Sequence, residues 1–418
     1  MATHNGASSD PLSQPALKRS IGFILLTLYG LGTILGAGIY VLIGEVALQA
    51  GPAVPAAFLL SAVIAAFSAL SYAEISGRLP KSAGEAAYVE AAFRLPFVAA
   101  LTGWAVIAAG VVSSATLVRG FIGYLSVFVD LPAQLVIVAL VVSLGVLAAW
   151  GIAESMWVAA VVTVIEAIGL LAVCFVARDS LSLFPGRFSG MMPLLDTTAW
   201  AGVLSGAFVA FYAFIGFEDM VNVAEEVVEP ERTLPRAIVA ALILSTSLYL
   251  LVAVTASLAL PTDVLTRTDA PMAAIVESRG ISPAYISFVG LFAVINGALI
   301  QLIMASRVLY GLGAQGLAWR GFASVHARRH TPVVATVVIA AAILCLSLTL
   351  SLGRLAQFTS FIALSVFAAV NLSLIVLKRR SSRGPVYTVP CFVPMIGAAL
   401  CLGMLLFQIT AVIGAWVR

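Results

Sequence analysis

Charge is what this sequence has least of. Of its 418 residues, 10% are Asp, Glu, Lys or Arg and 62% are hydrophobic, against about 25% and about 45–50% in a soluble domain. That excludes a cytosolic globular enzyme, and it excludes a disordered chain, which needs low hydrophobicity. The net charge of +3 is small and scattered, so nucleic acid is excluded as a partner. Lysine occurs only at Lys18, Lys81 and Lys378, and histidine only at His4, His326 and His330, all in polar segments. Neither residue type is available to carry protons at mid-membrane. The four cysteines, Cys174, Cys345, Cys391 and Cys401, lie in apolar runs without pairing or metal spacing and read as small packing residues. There is no His-Glu-x-x-His pattern, no Ser/His pair within a span and no repeated filter segment. These absences argue against a metal or other cofactor, an intramembrane enzyme and a channel.

What the chain does have is long apolar runs. A helix crosses the hydrocarbon core with about 20 apolar residues. Eleven such runs are present: 21–43, 54–77, 97–128, 134–151, 155–177, 199–225, 235–260, 284–314, 332–352, 355–377 and 393–417. The expected fold class is an all-α polytopic membrane protein, with lipid as its surroundings and a polar, disordered tail at 1–17. Pro235 is expected to open the seventh helix. With the N-terminus inside, 14 of the 22 Lys and Arg fall in inner segments and six in outer ones. That bias predicts a cytoplasmic N-terminus in the plasma membrane and an outer C-terminus.

Two of the runs are interrupted. The first reads Leu31-Gly32-Thr33-Ile34-Leu35-Gly36-Ala37-Gly38-Ile39-Tyr40, and the sixth reads Phe211-Tyr212-Ala213-Phe214-Ile215-Gly216-Phe217-Glu218-Asp219. Each glycine weakens a helix by roughly 1 kcal/mol, and unwound backbone in lipid is tolerated only where it is buried or lines a cavity. Close helix packing explains either break taken singly. Their separation by five spans points further, because a repeat with an odd number of spans inserts upside down relative to its copy. Matching breaks in two inverted halves mark a transporter site at the midplane. At a break, one half-helix presents free N–H groups and the other free C=O groups. An α-amino acid zwitterion fits that pair. Its carboxylate would sit on the amides of Gly36, Ala37, Gly38 and Ile39, and its ammonium would meet carbonyls near Ile34, Phe211 and Phe214.

At these residues the chain resembles the amino acid–polyamine–organocation (APC) superfamily of transporters. Gly36-Ala37-Gly38-Ile39-Tyr40 is similar to the first-helix motif of that group. Arg78-Leu79-Pro80-Lys81-Ser82-Ala83-Gly84-Glu85-Ala86-Ala87-Tyr88 resembles the segment after its second helix. Gly216-Phe217-Glu218-Asp219, Glu225-Glu226 and Pro230 to Arg236 resemble its sixth-helix signature. The resemblance implies a LeuT-type bundle of two inverted five-helix repeats, 18–177 and 199–377, followed by a basic loop and one extra helix at 378–418. Two departures stand out: many members have twelve spans, and those with a lysine on the fifth helix place it where this chain has Glu166.

Acids within spans are functional candidates by default. Glu166 lies midway along the fifth run with no Lys or His at its depth. Burial disfavours the anion, so it can take up a proton, can ligate Na⁺, or can bond a neighbouring carbonyl in a structural role. Glu218 and Asp219 open the lower half of helix 6, where an acid caps the helix; the resemblance gives Glu218 a link to an inner gate. Glu225, Glu226, Glu229 and Glu231 beside Arg232 and Arg236 read as surface or gate ion pairs, and Arg119, Arg307 and Glu74 as structural. Tyr212 and Phe214 flank the second break and are placed over the substrate. Gly216 makes that break, and Asn296 with Ser113-Ser114 supplies polar groups at pocket depth.

The expected function is a secondary transporter for an α-amino acid, coupled to H⁺ in preference to Na⁺, with exchange and amine or polyamine substrates as alternatives. Glu166→Gln is expected to abolish accumulation driven by a pH gradient in proteoliposomes while counterflow exchange partly survives. Unchanged accumulation removes Glu166 from coupling.

Overall fold

The computed structural model describes residues 19–36, 38–80, 84–150, 156–193, 196–326, 329, 331–380 and 387–417. The tail 1–17, Ala37 and the Lys81-Ser82-Ala83 part of the second motif therefore lie outside the described residues. So do Lys18, Arg328, His330, Arg383 and Arg418.

In an apolar solvent each backbone N–H and C=O must find its partner within the chain, and helices do this locally. The described residues are helical almost throughout. In chain order the helices are α1 (Phe23–Leu35), α2 (Gly38–Ala50), α3 (Val54–Arg78), α4 (Gly84–Phe93), α5 (Pro96–Leu125), α6 (Ala133–Trp150), α7 (Met156–Val176) and α8 (Phe184–Met191). They continue as α9 (Ala199–Ala210), α10 (Pro230–Ala259), α11 (Thr262–Leu265), α12 (Pro271–Glu277), α13 (Ala284–Ala314), α14 (Val333–Thr349), α15 (Leu352–Arg380) and α16 (Phe392–Val417). Nine segments among the described residues are long and apolar enough to cross a membrane, and Val333–Thr349 is a shorter apolar helix. The first of the nine is the 56-residue stretch Phe23–Arg78, which the sequence divides into two spans.

Proline sets several starts. Pro96, Pro230 and Pro271 each occupy a first helical position, where the missing N–H costs nothing and φ is already helical. This corrects one expectation. Helix α10 opens at Pro230, and Pro235 lies within it. Glu229 takes a left-handed turn (φ 46°) just before Pro230, which resets the chain direction early. Pro235 then forgoes one hydrogen bond inside the helix rather than starting it.

Packing joins distant parts of the chain. Helix α2 packs on α9, α3 on α10, α5 on α13 and α6 on α14. The outward faces of α6, α7 and α16 carry exposed apolar side chains, including Val142, Val146, Val161, Ile168, Leu406 and Ile413. Such a surface is stable only against lipid or another apolar partner. Helix α16 is docked by a small polar cluster: Asn371 Nδ2 donates to Ser68 Oγ (3.1 Å), which lies 3.5 Å from Cys401 Sγ.

One buried acid fixes a corner of the bundle. Glu74 on α3 is fully buried. Its Oε1 accepts from Arg78 Nε (2.9 Å) and Nη2 (2.7 Å), and its Oε2 accepts from Lys378 Nζ (2.6 Å) and the Val389 amide (2.7 Å). All its acceptor capacity is used, as the structural reading requires. Removing one partner of a buried pair strands the other and costs roughly 3–5 kcal/mol. Glu74→Ala should therefore lower the thermal unfolding temperature markedly. Glu229→Ala, which breaks an exposed 3.7 Å pair with Arg232, should change stability by less than about 1 kcal/mol.

Candidate functional site

At both interrupted runs the described backbone departs from regular α-helix. Helix α1 ends at Leu35, the chain turns at Gly36 (φ 18°, ψ −154°), and α2 begins at Gly38. In the second, α9 ends at Ala210 and tightens into a 3₁₀ turn, Phe211–Phe214. Ile215 is extended, Gly216 has φ 133°, and a second 3₁₀ segment runs Phe217–Glu226.

The two breaks touch. Thr33 Oγ1 donates to Gly216 O at 2.8 Å. A Cβ on Gly216 would lie 2.5 Å from the Thr33 carbonyl carbon and oxygen, and one on Gly38 would lie 2.8 Å from Ala213 Cα. Backbone thus packs on backbone, and a side chain at either glycine would force the breaks apart. Tyr249 on α10 spans both: its hydroxyl lies 2.5 Å from Ile34 O, 3.0 Å from Ala213 O and 3.4 Å from Leu35 O.

Between the breaks lies a cavity of about 30 Å³ lined by Thr33, Ile34, Gly36, Gly38, Ser113, Leu117, Tyr212, Ile215, Gly297, Ile300 and Gln301. That is room for two or three waters, since a water needs roughly 10–15 Å³ on this measure. No charged side chain lines it among the described residues. Tyr212 and Ser113 hydroxyls are paired at 3.1 Å across it.

The expected site residues divide accordingly. Ile34, Gly36, Gly38 and Tyr212 line the cavity; Ala37 lies outside the described residues. Ile39 is buried and Gly216 sits behind Thr33, neither of them in the lining. Phe211 stacks on Phe367, and Phe214 on Phe58 and Tyr249, away from the cavity. Asn296 is buried beside the lining residue Gly297, and Ser114 bonds Ala298 O (3.0 Å) as a tie between α5 and α13.

The acids take three different positions. Glu166 is buried on α7, with the Tyr40 and Tyr249 hydroxyls in its electrostatic field. Tyr40 donates to its backbone carbonyl (2.8 Å) and in turn accepts at its own carbonyl from Tyr124 (2.7 Å). One turn earlier, Thr163 abuts Gly32 of α1. Glu218 Oε2 accepts the Gly216 amide at 2.8 Å, reaching back to the residue that precedes the second 3₁₀ segment rather than capping the amides that follow it. Asp219 Oδ2 accepts from Gln301 Nε2 at 3.3 Å, and Gln301 lines the cavity. Below them on α4, Glu85 accepts from Tyr72 Oη at 3.2 Å. Burial pushes Glu85 above the ordinary carboxylate range, and that bond opposes the shift.

Both ends of the site are closed. On the side where α1 begins, Ser20 and Ile21 amides donate to Glu226 O (2.9 and 3.1 Å), and Val228 donates to Ile21 O (2.9 Å). On the opposite side the α11–α12 connection is wedged against α2 and α5. A Cβ on Gly44 would lie 2.6 Å from Leu265 O, and one on Gly123 would run into Asp269.

Comparison of the sequence with known proteins gives a family. The amino acid permease family matches residues 21–416. The chain belongs to that family. It is therefore an integral membrane permease of the APC superfamily, and not an enzyme. The permease is 27% identical over 395 residues to the branched-chain amino acid permease BcaP of Bacillus subtilis, covering 88% of this chain and 82% of that one. It is 30% identical over 408 residues to cationic amino acid transporter 4 of mouse, covering 90% of this chain and 62% of the mouse protein. It is 30% identical over 401 residues to an uncharacterized transporter of Mycobacterium tuberculosis, covering 94% and 87%.

Sequence reasoning missed Thr33, Leu117, Ile215, Gly297, Ile300, Gln301 and, most of all, Tyr249. Gln301 carried a signal, as an amide deep in an apolar run; Tyr249 carried none beyond being aromatic. Gly216→Ala is expected to cost roughly 2–5 kcal/mol, from a backbone conformation closed to other residues plus overpacking against Thr33. The measurement is thermal unfolding of purified protein. An unfolding temperature equal to that of the parent would mean that the breaks do not pack as described.

Proposed function

We propose that the permease carries a neutral α-amino acid with an apolar side chain, by alternating access about the two breaks, coupled to H⁺. The observation that carries this reading is the cavity enclosed by both interrupted helices. It offers backbone amides and carbonyls for a zwitterion, and beyond them Leu117, Ile215 and Ile300, with no charged lining side chain among the described residues. A cationic side chain would enter such a cavity without a counter-charge, at high desolvation cost. Of the relatives' named substrates, the branched-chain type fits this lining better than the cationic type. On this reading the amides that follow Gly36, up to Ile39, hold the carboxylate, the Gly36 amide itself being given to Gly32 O (2.9 Å); the carbonyls of Ile34 and its neighbours across the gap hold the ammonium, and Tyr212 covers the ligand. Gly216, Phe211, Phe214 and Asn296 shape the surrounding wall.

The LeuT-type arrangement belongs to the same proposal. Eleven spans form two inverted five-helix repeats, 18–177 and 199–377, with 378–418 adding the last helix. The pairing of α2 with α9, α3 with α10, α5 with α13 and α6 with α14 supports it, since each pair sets a helix of one repeat on its counterpart in the other. The small size of the cavity fits a contracted, closed state that must widen to admit a substrate. The cation bias of the segments supports a plasma-membrane protein with its N-terminus in the cytoplasm. Glu166, Glu218 and Asp219 are the coupling and gating candidates. H⁺ is favoured over Na⁺ because Glu166 and Asp219 are buried carboxyls and, among the described residues, no charged side chain lines the cavity.

Uptake into proteoliposomes tests the reading. Leucine, isoleucine or valine should enter saturably, faster with an inside-alkaline pH gradient, and unaffected by replacing Na⁺ with choline. Arginine and lysine should compete poorly. Preferred uptake of arginine overturns the substrate class, dependence on Na⁺ overturns the coupling ion, and ohmic current overturns carrier action.

A further inference from the structure

Beside the cavity, where Ile34 lines it and Ala213 packs behind Gly38, backbone acceptors outnumber donors. A phenol has one proton to give, and the Tyr249 hydroxyl faces three carbonyl oxygens, from Ile34 (2.5 Å), Ala213 (3.0 Å) and Leu35 (3.4 Å). Two of these belong to the first break and one to the second. The ring that delivers the hydroxyl is fully buried. Phe58 (centroids 6.1 Å, interplanar 69°) and Phe214 (5.2 Å, 74°) hold it edge-on from two sides, so the oxygen has little freedom to leave. A carbonyl accepts two hydrogen bonds, and one proton cannot serve three such groups at once.

We propose that Tyr249 is a positioning residue for substrate recognition. Its hydroxyl holds the Ile34 and Ala213 carbonyls at one spacing, so that the α-ammonium of a substrate meets a ready-made acceptor pair and supplies the donors that the phenol alone cannot. The inference rests on the transport reading above and adds to it a residue from a third helix. Tyr249 acts through the two carbonyls rather than by lining the cavity. Helix α10 thereby senses whether the ammonium is present, because the ammonium competes with its hydroxyl for the same oxygens. Phe214 gains a role as well: it sits off the cavity because it braces the tyrosine ring.

The experiment compares the amino acid with the α-hydroxy acid of the same side chain, which keeps the carboxylate and lacks the ammonium. In Tyr249→Phe proteoliposomes, KM for the amino acid should rise by about tenfold, with Vmax and the hydroxy acid's inhibition constant each within about twofold of the parent. Equal losses for both compounds, or an unchanged KM, overturn the proposal, since a merely structural hydroxyl would not distinguish them. Should Tyr249→Phe fail to reach the membrane, 3-fluorotyrosine at position 249 keeps the hydroxyl, and its fluorine resonance must shift with saturating leucine and not with the hydroxy acid. No shift with leucine overturns the proposal. Failure of the parent protein to take up any amino acid overturns instead the transport reading beneath it.

Discussion

Two stretches of backbone that have given up their helical hydrogen bonds meet inside an apolar bundle, and the rest of the structure is arranged to satisfy them. Unpaired amides and carbonyls at that depth would each cost several kcal/mol. The chain answers with hydroxyls: Thr33 of the first break to Gly216 O of the second, and Tyr249 of α10 to Ile34 and Ala213 O. It answers also with closeness. Glycine at 38 and at 216 lets backbone touch backbone, so water is kept out except in one small gap. That gap is where polar backbone remains within reach of a guest.

The surrounding structure separates what is anchored from what is lightly held. Glu74 binds α3 to Lys378 of α15 and to the Val389 amide on the approach to α16, while Arg78 of α3 itself fills its other oxygen. By contrast, the closure at the α1 end consists of a few main-chain hydrogen bonds between residues 20–21 and 226–228, each worth about 1 kcal/mol net. The opposite closure is a wedged connection of short helices. A site that must open to either side needs closures of this modest strength, because each has to be broken with only the energy that substrate and ion binding supply. Strong pairing at the periphery and weak pairing at the two ends is the division that movement of one part against another requires.

Much of this was legible in the sequence, and the residues show why. Most runs predicted from apolar length coincide with helices to within a few residues, because the hydrophobic thickness of a membrane leaves little choice; the first stops at 43 where α2 continues to Ala50, and the seventh starts at 235 where α10 opens at Pro230. The breaks were visible because glycine and adjacent acids act on their own backbone. Glu74 was placed as structural from its position near a helix end. The partners across helices were not visible. Whether Phe214 faces the cavity or Phe58 depends on the rotation of a short 3₁₀ turn, and nothing local fixes that. Tyr249 is one aromatic among many in apolar runs; its importance comes from where its oxygen lands, a tertiary fact. Pro235 misled because proline marks helix starts only when no better start lies upstream, and the left-handed Glu229 followed by Pro230 is a better one.

The placement of the acids bears on how an ion would be linked to the gap. Glu218 is engaged by the Gly216 amide, so its charge is tied to the conformation of the second break itself. Asp219 reaches the cavity only through Gln301, an uncharged lining side chain that can rotate when a guest displaces it. Glu166 stands on the far side, in the field of Tyr40 and Tyr249, and Tyr249 is the residue whose hydroxyl the Ile34 and Ala213 carbonyls share. A change of charge on Glu166 would alter how strongly that phenol donates, and so how tightly the carbonyls are held. On the proposed reading, a proton on any of the three acids would act on the same small set of backbone groups from a different direction. Coupling in such a site needs no charged side chain to touch the substrate. It needs only that the backbone which grips the substrate is held by hydroxyls, amides and an amide side chain whose partners can gain or lose a proton.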